Sequence, residues 1–234
     1  MLVMGIETST MQGGVALVSG QGVICEYTLN VKATYSERLL PLIDRALQDA
    51  RIALDQVAGF AVAVGPGSFT GLRIGVSTAK GLAAAGDQPC VGISTLEAMA
   101  WTLPFCAYQI CPILDARKGE IYSALFRYEG ERMIRLAGDA AAALDRLLSR
   151  IQQPTVFLGD GLAVYEDLIQ SQLKELALFA PLAGRGGRAA AVAELGRRRL
   201  LLGQRDDLTE LAPQYLRPSE AELHRLGREA THRQ

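Results

Sequence analysis

Twice along this chain, three short apolar runs broken by glycine turns are followed by a helical pattern, a further apolar run and a second helical pattern. In the first set the strand-like runs cover 2–7, 15–18 and 23–29, separated by Met11-Gln12-Gly13-Gly14 and Gly20-Gln21-Gly22. Helices are predicted over 36–50 and 70–85, with a β-rich run over 57–64 between them. The second set predicts strands over 110–115, 121–128, 133–136 and 155–158, and helices over 140–151 and 164–173. The order βββαβα, met twice, indicates an α/β chain with a duplicated unit, although two unrelated segments can share an element order. Ile6-Glu7 opens a turn into Val15-Ala16-Leu17 much as Leu114-Asp115 opens one into Ile121-Tyr122-Ser123-Ala124. Thr102-Leu103-Pro104 marks the expected boundary, dividing 1–103 from 104–217, with a polar tail over 218–234. Gly184-Arg185-Gly186-Gly187 is expected to be a flexible loop before a last long helix over 188–202.

With 234 residues, 49% of them apolar, the chain can bury a core as one large domain or two compact ones. Its 24 Lys and Arg against 25 Asp and Glu create no strong field for phosphates, so any nucleic-acid contact must be local or belong to a partner. The Arg-rich stretch 181–234 reads as a solvated helix face and tail. The start MLVMGIETST lacks a basic leader and a long apolar run, so a cytoplasmic protein without membrane association is expected. Cys25, Cys90, Cys106 and Cys111 form no CxxC pair and read as reduced core residues. His224 and His232 are the only histidines, which argues against a His metal site or a Ser-His-Asp triad in the body of the protein.

Two stretches carry the most chemistry. Glu7, Thr8, Ser9 and Thr10 end a buried strand with an acid and three hydroxyls, which suits either a phosphate turn holding a divalent ion or a polar hairpin whose hydroxyls satisfy local backbone groups. Gly65-Pro66-Gly67-Ser68-Phe69-Thr70-Gly71-Leu72-Arg73-Ile74-Gly75 leaves a strand and enters a helix whose free amides could face an anion. It lacks the Lys-Ser/Thr pair of a P-loop, and its glycines also suit a sharp turn and close packing. On the helix that follows, Arg73, Ser77 and Lys80 form the one polar strip, while Gly71, Gly75, Ala79 and Ala83 form a low ridge that another helix could approach. On the helix over 36–50, Leu39, Leu40, Leu42, Ile43, Ala46, Leu47 and Ala50 cover an arc wider than one-sided packing needs. Either the two helices cover each other, or Leu39, Leu40, Ile43, Leu47, Leu72, Val76, Ala79 and Ala83 leave a patch for a protein partner. Asp115-Ala116-Arg117-Lys118-Gly119-Glu120 reads as a capped hairpin, and Gly159-Asp160-Gly161 as a loop of the kind found near nucleotides.

The segments MGIETSTMQGGVAL, YSERLLPLI, AVGPGSFTGLRIGVSTAKGLA, LDARKGEIYSA, FLGDG and APQYLRP resemble the bacterial TsaB family, also called YeaZ, over nearly the whole chain. That resemblance implies two actin-like ATPase subdomains and a dimer with a homologous catalytic subunit, TsaD. It further implies cooperation with the small ATPase TsaE in transferring threonylcarbamoyl to N6 of adenosine 37 in tRNAs reading codons that begin with A. The complex would use ATP and meet tRNA as a whole, with no cofactor assigned to this chain. In the family two helices after the first strands pack on their TsaD counterparts, which favours the partner reading of the apolar patch; without a partner the same patch could form a homodimer. TsaD-type subunits carry an HxxxH metal pair that this sequence lacks, so the chain is expected not to perform the transfer. Two departures stand out: Tyr35 where relatives often have His, and Glu7 where many have Asp. Rival readings are an actin-like small-molecule kinase using Glu7, Thr8, Ser9, Gly159 and Asp160, and a glycoprotease-like peptidase.

Overall fold

A computed structural model describes residues 1–31 and 35–217; the tail 218–234, with both histidines, lies outside the described residues. β1 (Val3–Glu7), β2 (Gln12–Ser19) and β3 (Gly22–Asn30) form an antiparallel meander. α1 (Tyr35–Ala50) then leads to β4 (Gly59–Gly65), and α2 (Phe69–Ala85) to β5 (Cys90–Ser94), both strands joining in parallel to give the order β3-β2-β1-β4-β5. After α3 (Thr95–Trp101) the sequence of events repeats. The meander β6 (Gln109–Arg117), β7 (Glu120–Glu129) and β8 (Arg132–Ala143) is followed by α4 (Leu144–Leu148), β9 (Thr155–Leu158), α5 (Leu162–Leu173) and β10 (Ala177–Phe179). The second sheet runs β10-β9-β6-β7-β8 with the same strand senses, so the duplication holds at the level of topology as well as element order.

Period-two alternation explains why β1 and β4 read as unbroken apolar runs. Met4, Ile6, Phe60, Val62 and Val64 face α1 and α2, whereas Val3, Ala61 and Ala63 face α6 (Ala189–Leu201). The second sheet is sandwiched likewise: Ile110, Leu114 and Phe126 meet Leu96 and Met99 of α3, while Cys111, Ile113 and Phe157 meet Leu144 of α4 and Leu162 and Ile169 of α5. The last helix of each half crosses over. α3 follows the first sheet and packs on β6 and β7, and α6 follows the second sheet and packs on β1, β2 and β4. The expected unit 104–217 therefore does not close on itself: α6 and Leu211 complete the core of the first sheet. A chain boundary read from linkers cannot register such an exchange, because it depends on which sheet the helix covers.

Alanine's helix preference predicts a helix over 140–151 and a strand ending at 136, yet β8 continues to Ala143, held by its ladder to β7, and α4 is a single short turn. β5, α3 and β10 have no counterpart among the elements predicted from sequence, being short runs of five, seven and three residues, with β5 and β10 each at a sheet edge. At the expected hairpin Lys118 and Gly119 have φ of 53° and 78°, the conformation of a two-residue type I′ turn, and Asp115 accepts a hydrogen bond from the Arg117 amide at 2.8 Å. Among the described residues no helix is long and apolar enough to cross a membrane.

Candidate functional site

The turn after β1 is enclosed from Glu7 to Thr10, with Met11 exposed at its tip. Glu7 is 0% exposed, and its Oε1 accepts from the Ser9 amide at 2.6 Å and from the Ser9 hydroxyl, while Oε2 has no partner among the described residues. Burial raises the carboxyl from 4.5 to about 7, and the two Ser9 bonds only partly offset it. Thr8 donates its hydroxyl to the carbonyl of Gly71 at 2.8 Å, and Thr10 donates to the carbonyl of Gln12 at 2.6 Å. All three hydroxyls of the turn are thus committed within the chain, as a structural hairpin requires.

The same turn braces both helices on this face of the sheet. The Ser68 amide, at the N-cap of α2, donates to the carbonyl of Ser9 at 2.6 Å, and the Tyr35 hydroxyl, at the start of α1, donates to the carbonyl of Thr10 at 2.9 Å. A Cβ at Gly71 would lie 2.0 Å from the Thr8 carbonyl oxygen and one at Gly75 2.1 Å from Thr8 Oγ1, so only glycine lets α2 press this closely on the turn. The ridge Gly71, Gly75, Ala79 and Ala83 accordingly faces the chain's own interior, not an outside helix. Tyr35, read from sequence only as a departure from relatives, ties α1 to the turn; its length and hydroxyl were the available signal.

Burial corrects most of the expected partner patch. Leu39, Ile43, Leu72, Val76, Ala79 and Ala83 are sealed inside the chain, because α1 and α2 turn these residues onto β1, β2 and β4 and toward each other. Leu40 remains 59% exposed and Leu47 half-buried. On α2, Ile74 and Leu82 are half-buried against the same core, and the exposed residues Ser77, Gly81, Ala84 and Ala85 are small, with Arg73 exposed beside them.

The polar strip of α2 is also used internally. Lys80 donates to the carbonyl of Leu211 at 3.0 Å, Arg73 donates to the Tyr215 hydroxyl at 2.8 Å, and the Tyr215 ring stacks on Phe69 with centroids 4.4 Å apart. The Gln214 amide closes this strap on the carbonyl of Val64 at 2.7 Å, and Arg217 reaches the carbonyl of Ala116 at 3.1 Å. Residues 211–215 therefore pin α2 along its polar strip. On the second sheet Gly159 is buried beside Ile113, and exposed Asp160 accepts from the Asp115 amide at 3.2 Å. Glu7, Thr8 and Ser9 follow a strand of the first sheet and Gly159 and Asp160 one of the second, with no hydrogen bond between the two groups among the described residues.

Comparison with known proteins places this geometry in context. Residues 21–225 match the family model described as TsaD: tRNA N6-adenosine threonylcarbamoyltransferase. The chain is 32% identical over 225 residues to the tRNA threonylcarbamoyladenosine biosynthesis protein TsaB of Bacillus subtilis, covering 95% of this chain and 96% of that protein. A Pseudomonas aeruginosa structure described as similar to the peptidase YeaZ superposes with a TM-score of 0.77 at 24% identity, covering 92% of this chain and 99% of that one. The activator of 2-hydroxyisocaproyl-CoA dehydratase from Clostridium difficile, solved with bound ADPNP, matches with a TM-score of 0.51 at 9% identity over 88% and 99% of the two chains. Two five-stranded sheets of one topology, exchanging their last helices, are thus an actin-like ATPase fold, and by sequence over nearly its full length the chain belongs to the TsaB (YeaZ) family.

Proposed function

We propose that this chain is a subunit of the machinery that forms N6-threonylcarbamoyladenosine in tRNA, and that it acts by pairing with a TsaD-type transferase, leaving the transfer itself to that partner. The observation that carries this reading is the use made of the turn after β1. Its three hydroxyls and one carboxylate oxygen are committed within the chain, Thr8 to α2, Ser9 to Glu7 and Thr10 to β2, while the Ser9 and Thr10 carbonyls hold α2 and α1, so the chemistry that could cradle a phosphate instead fixes two helices in place. The Glu7 carboxyl is also fully buried with Oε1 already held by Ser9, which counts against the kinase reading.

The face presented by that brace consists of Leu40 and Leu47 on α1 with Ile74 and Leu82 on α2, beside Ser77, Gly81 and Ala84. Small side chains on the outward side of α2 allow a second helix to come close, and Leu40 supplies an apolar anchor. Leu39, Ile43, Val76, Ala79 and Ala83 support this face from beneath, and Leu72 is buried as well. A TsaE-type ATPase and tRNA would join through the pair, with ATP used by the complex.

Co-expression with a TsaD-type transferase, followed by size-exclusion chromatography with light scattering, tests the pairing. A heterodimer is expected, and formation of the modified nucleoside by the transferase and TsaE-type ATPase should stop when this chain is left out. Failure of the two proteins to co-elute, or modification by this chain without the transferase, would refute the proposal. A self-associated form should give way to the heterodimer when the transferase is added.

A further inference from the structure

The strand whose alanines predict a helix borders a hollow with no part in the partner face. Opposite Ser123–Phe126 of β7, β8 carries extra residues: Ala140 and Ala137 face Ser123 and Leu125, and Ala137 and Arg135 face Leu125 and Phe126. Such bulges bend a strand and open its ladder. Between the bent strand and the short helix α4 lies a cavity of about 160 Å³, lined by Leu125, Ala137, Ala141 and Leu147, with Ser123 as a polar group and Arg146 and Arg150 at exposed positions. Valine, the usual strand residue, would fill this space at the alanine positions, so the departure from strand propensity is what keeps it open.

Its cations are unpaired: among the described residues neither Arg146 nor Arg150 makes an ion pair, and the nearby acids are engaged elsewhere. Asp145 accepts from Gln172 at 3.3 Å, and Asp139 accepts from the Ser94 hydroxyl at 2.7 Å and from Arg135. Two guanidiniums without an ion-pair partner among the described residues, beside an apolar cavity, fit a carboxylate on an apolar body. A cavity of about 150 Å³ accommodates benzene, which sets the size of that body at about six carbons.

We propose that the hollow between β7, β8 and α4 binds a small amphiphilic carboxylate, its aliphatic or aromatic part against the alanines and its carboxylate on Arg146 and Arg150. Titration of hexanoate into the full chain, followed by amide NMR, tests this. Saturable shifts of residues 123–125 and 137–142 are expected with Kd of about 1 mM, the scale for eight heavy atoms. Hexanol and hexylammonium should bind at least about fivefold more weakly, as should hexanoate to the Arg146→Ala/Arg150→Ala variant, from loss of the charge-assisted bonds. Ala141→Leu, which fills the cavity, should abolish binding while both guanidiniums remain. The proposal fails if hexanoate moves none of these amides at about 20 mM, if hexylammonium binds equally well, or if the folded double arginine variant binds as tightly as the parent.

Discussion

Leu40 offers the sharpest test of the partner face, because it can be altered without disturbing the fold beneath. It keeps 59% of its surface exposed in the isolated chain. Full burial of a leucine is worth ~1.5–3 kcal/mol, so covering the part still exposed contributes roughly 0.9–1.8 kcal/mol. Leu40→Ala should therefore raise the Kd for a TsaD-type transferase about fivefold to twentyfold. The free chain loses little. A surface substitution stays within about 0.5 kcal/mol, which moves Tm by no more than about 2 °C for a chain of this size. Isothermal titration calorimetry gives Kd, and scanning calorimetry on the same sample gives Tm. An affinity unchanged within about twofold would show that Leu40 lies outside the contact and sink the assignment of this face. A large fall in Tm would instead show that Leu40 supports the fold, against its observed exposure.

Other perturbations separate support from surface. Leu72→Ala, at a fully buried position, should cost ~2–5 kcal/mol of stability, read as a lower urea midpoint; a cost near zero would mean that α2 does not rest on the sheet as described. Gly75→Val places a Cβ where Thr8 Oγ1 now sits, 2.1 Å away, and should cost ~1–3 kcal/mol by overpacking. Unchanged stability in urea would show that the turn yields freely. Glu7 makes stability depend on pH. The folded state holds its proton up to about 7 where the ordinary value is 4.5, so stability should fall by roughly 3 kcal/mol as pH rises through that window and level off above it. Glu7→Gln should flatten the fall in urea titrations between these limits; an equally steep fall in the variant would assign it to another group.

Much of the architecture is written in local pattern. The meanders, α1, α2, α5, α6 and the hairpin at 118–119 follow from periodicity and turn chemistry, which act over a few residues and are therefore visible one segment at a time. Local pattern misleads over 140–143, because alanine states a helical preference that the ladder of β8 with β7 overrides. The site was legible in part. The hydroxyl turn and the glycine-rich entry to α2 stood out, but not that Thr8 Oγ1 would bond to the carbonyl of Gly71, sixty-three positions away.

The sequence alone thus determined the family resemblance, the repeated βββαβα order and which residues are apolar. Only the tertiary structure decided where those apolar residues go: Leu39 and Val76 inward, Leu40 outward, and α6 onto the sheet of the other half. The reason is geometric. Helical periodicity fixes an angle around one axis, whereas exposure depends on how many neighbours surround that axis, and those neighbours come from distant parts of the chain.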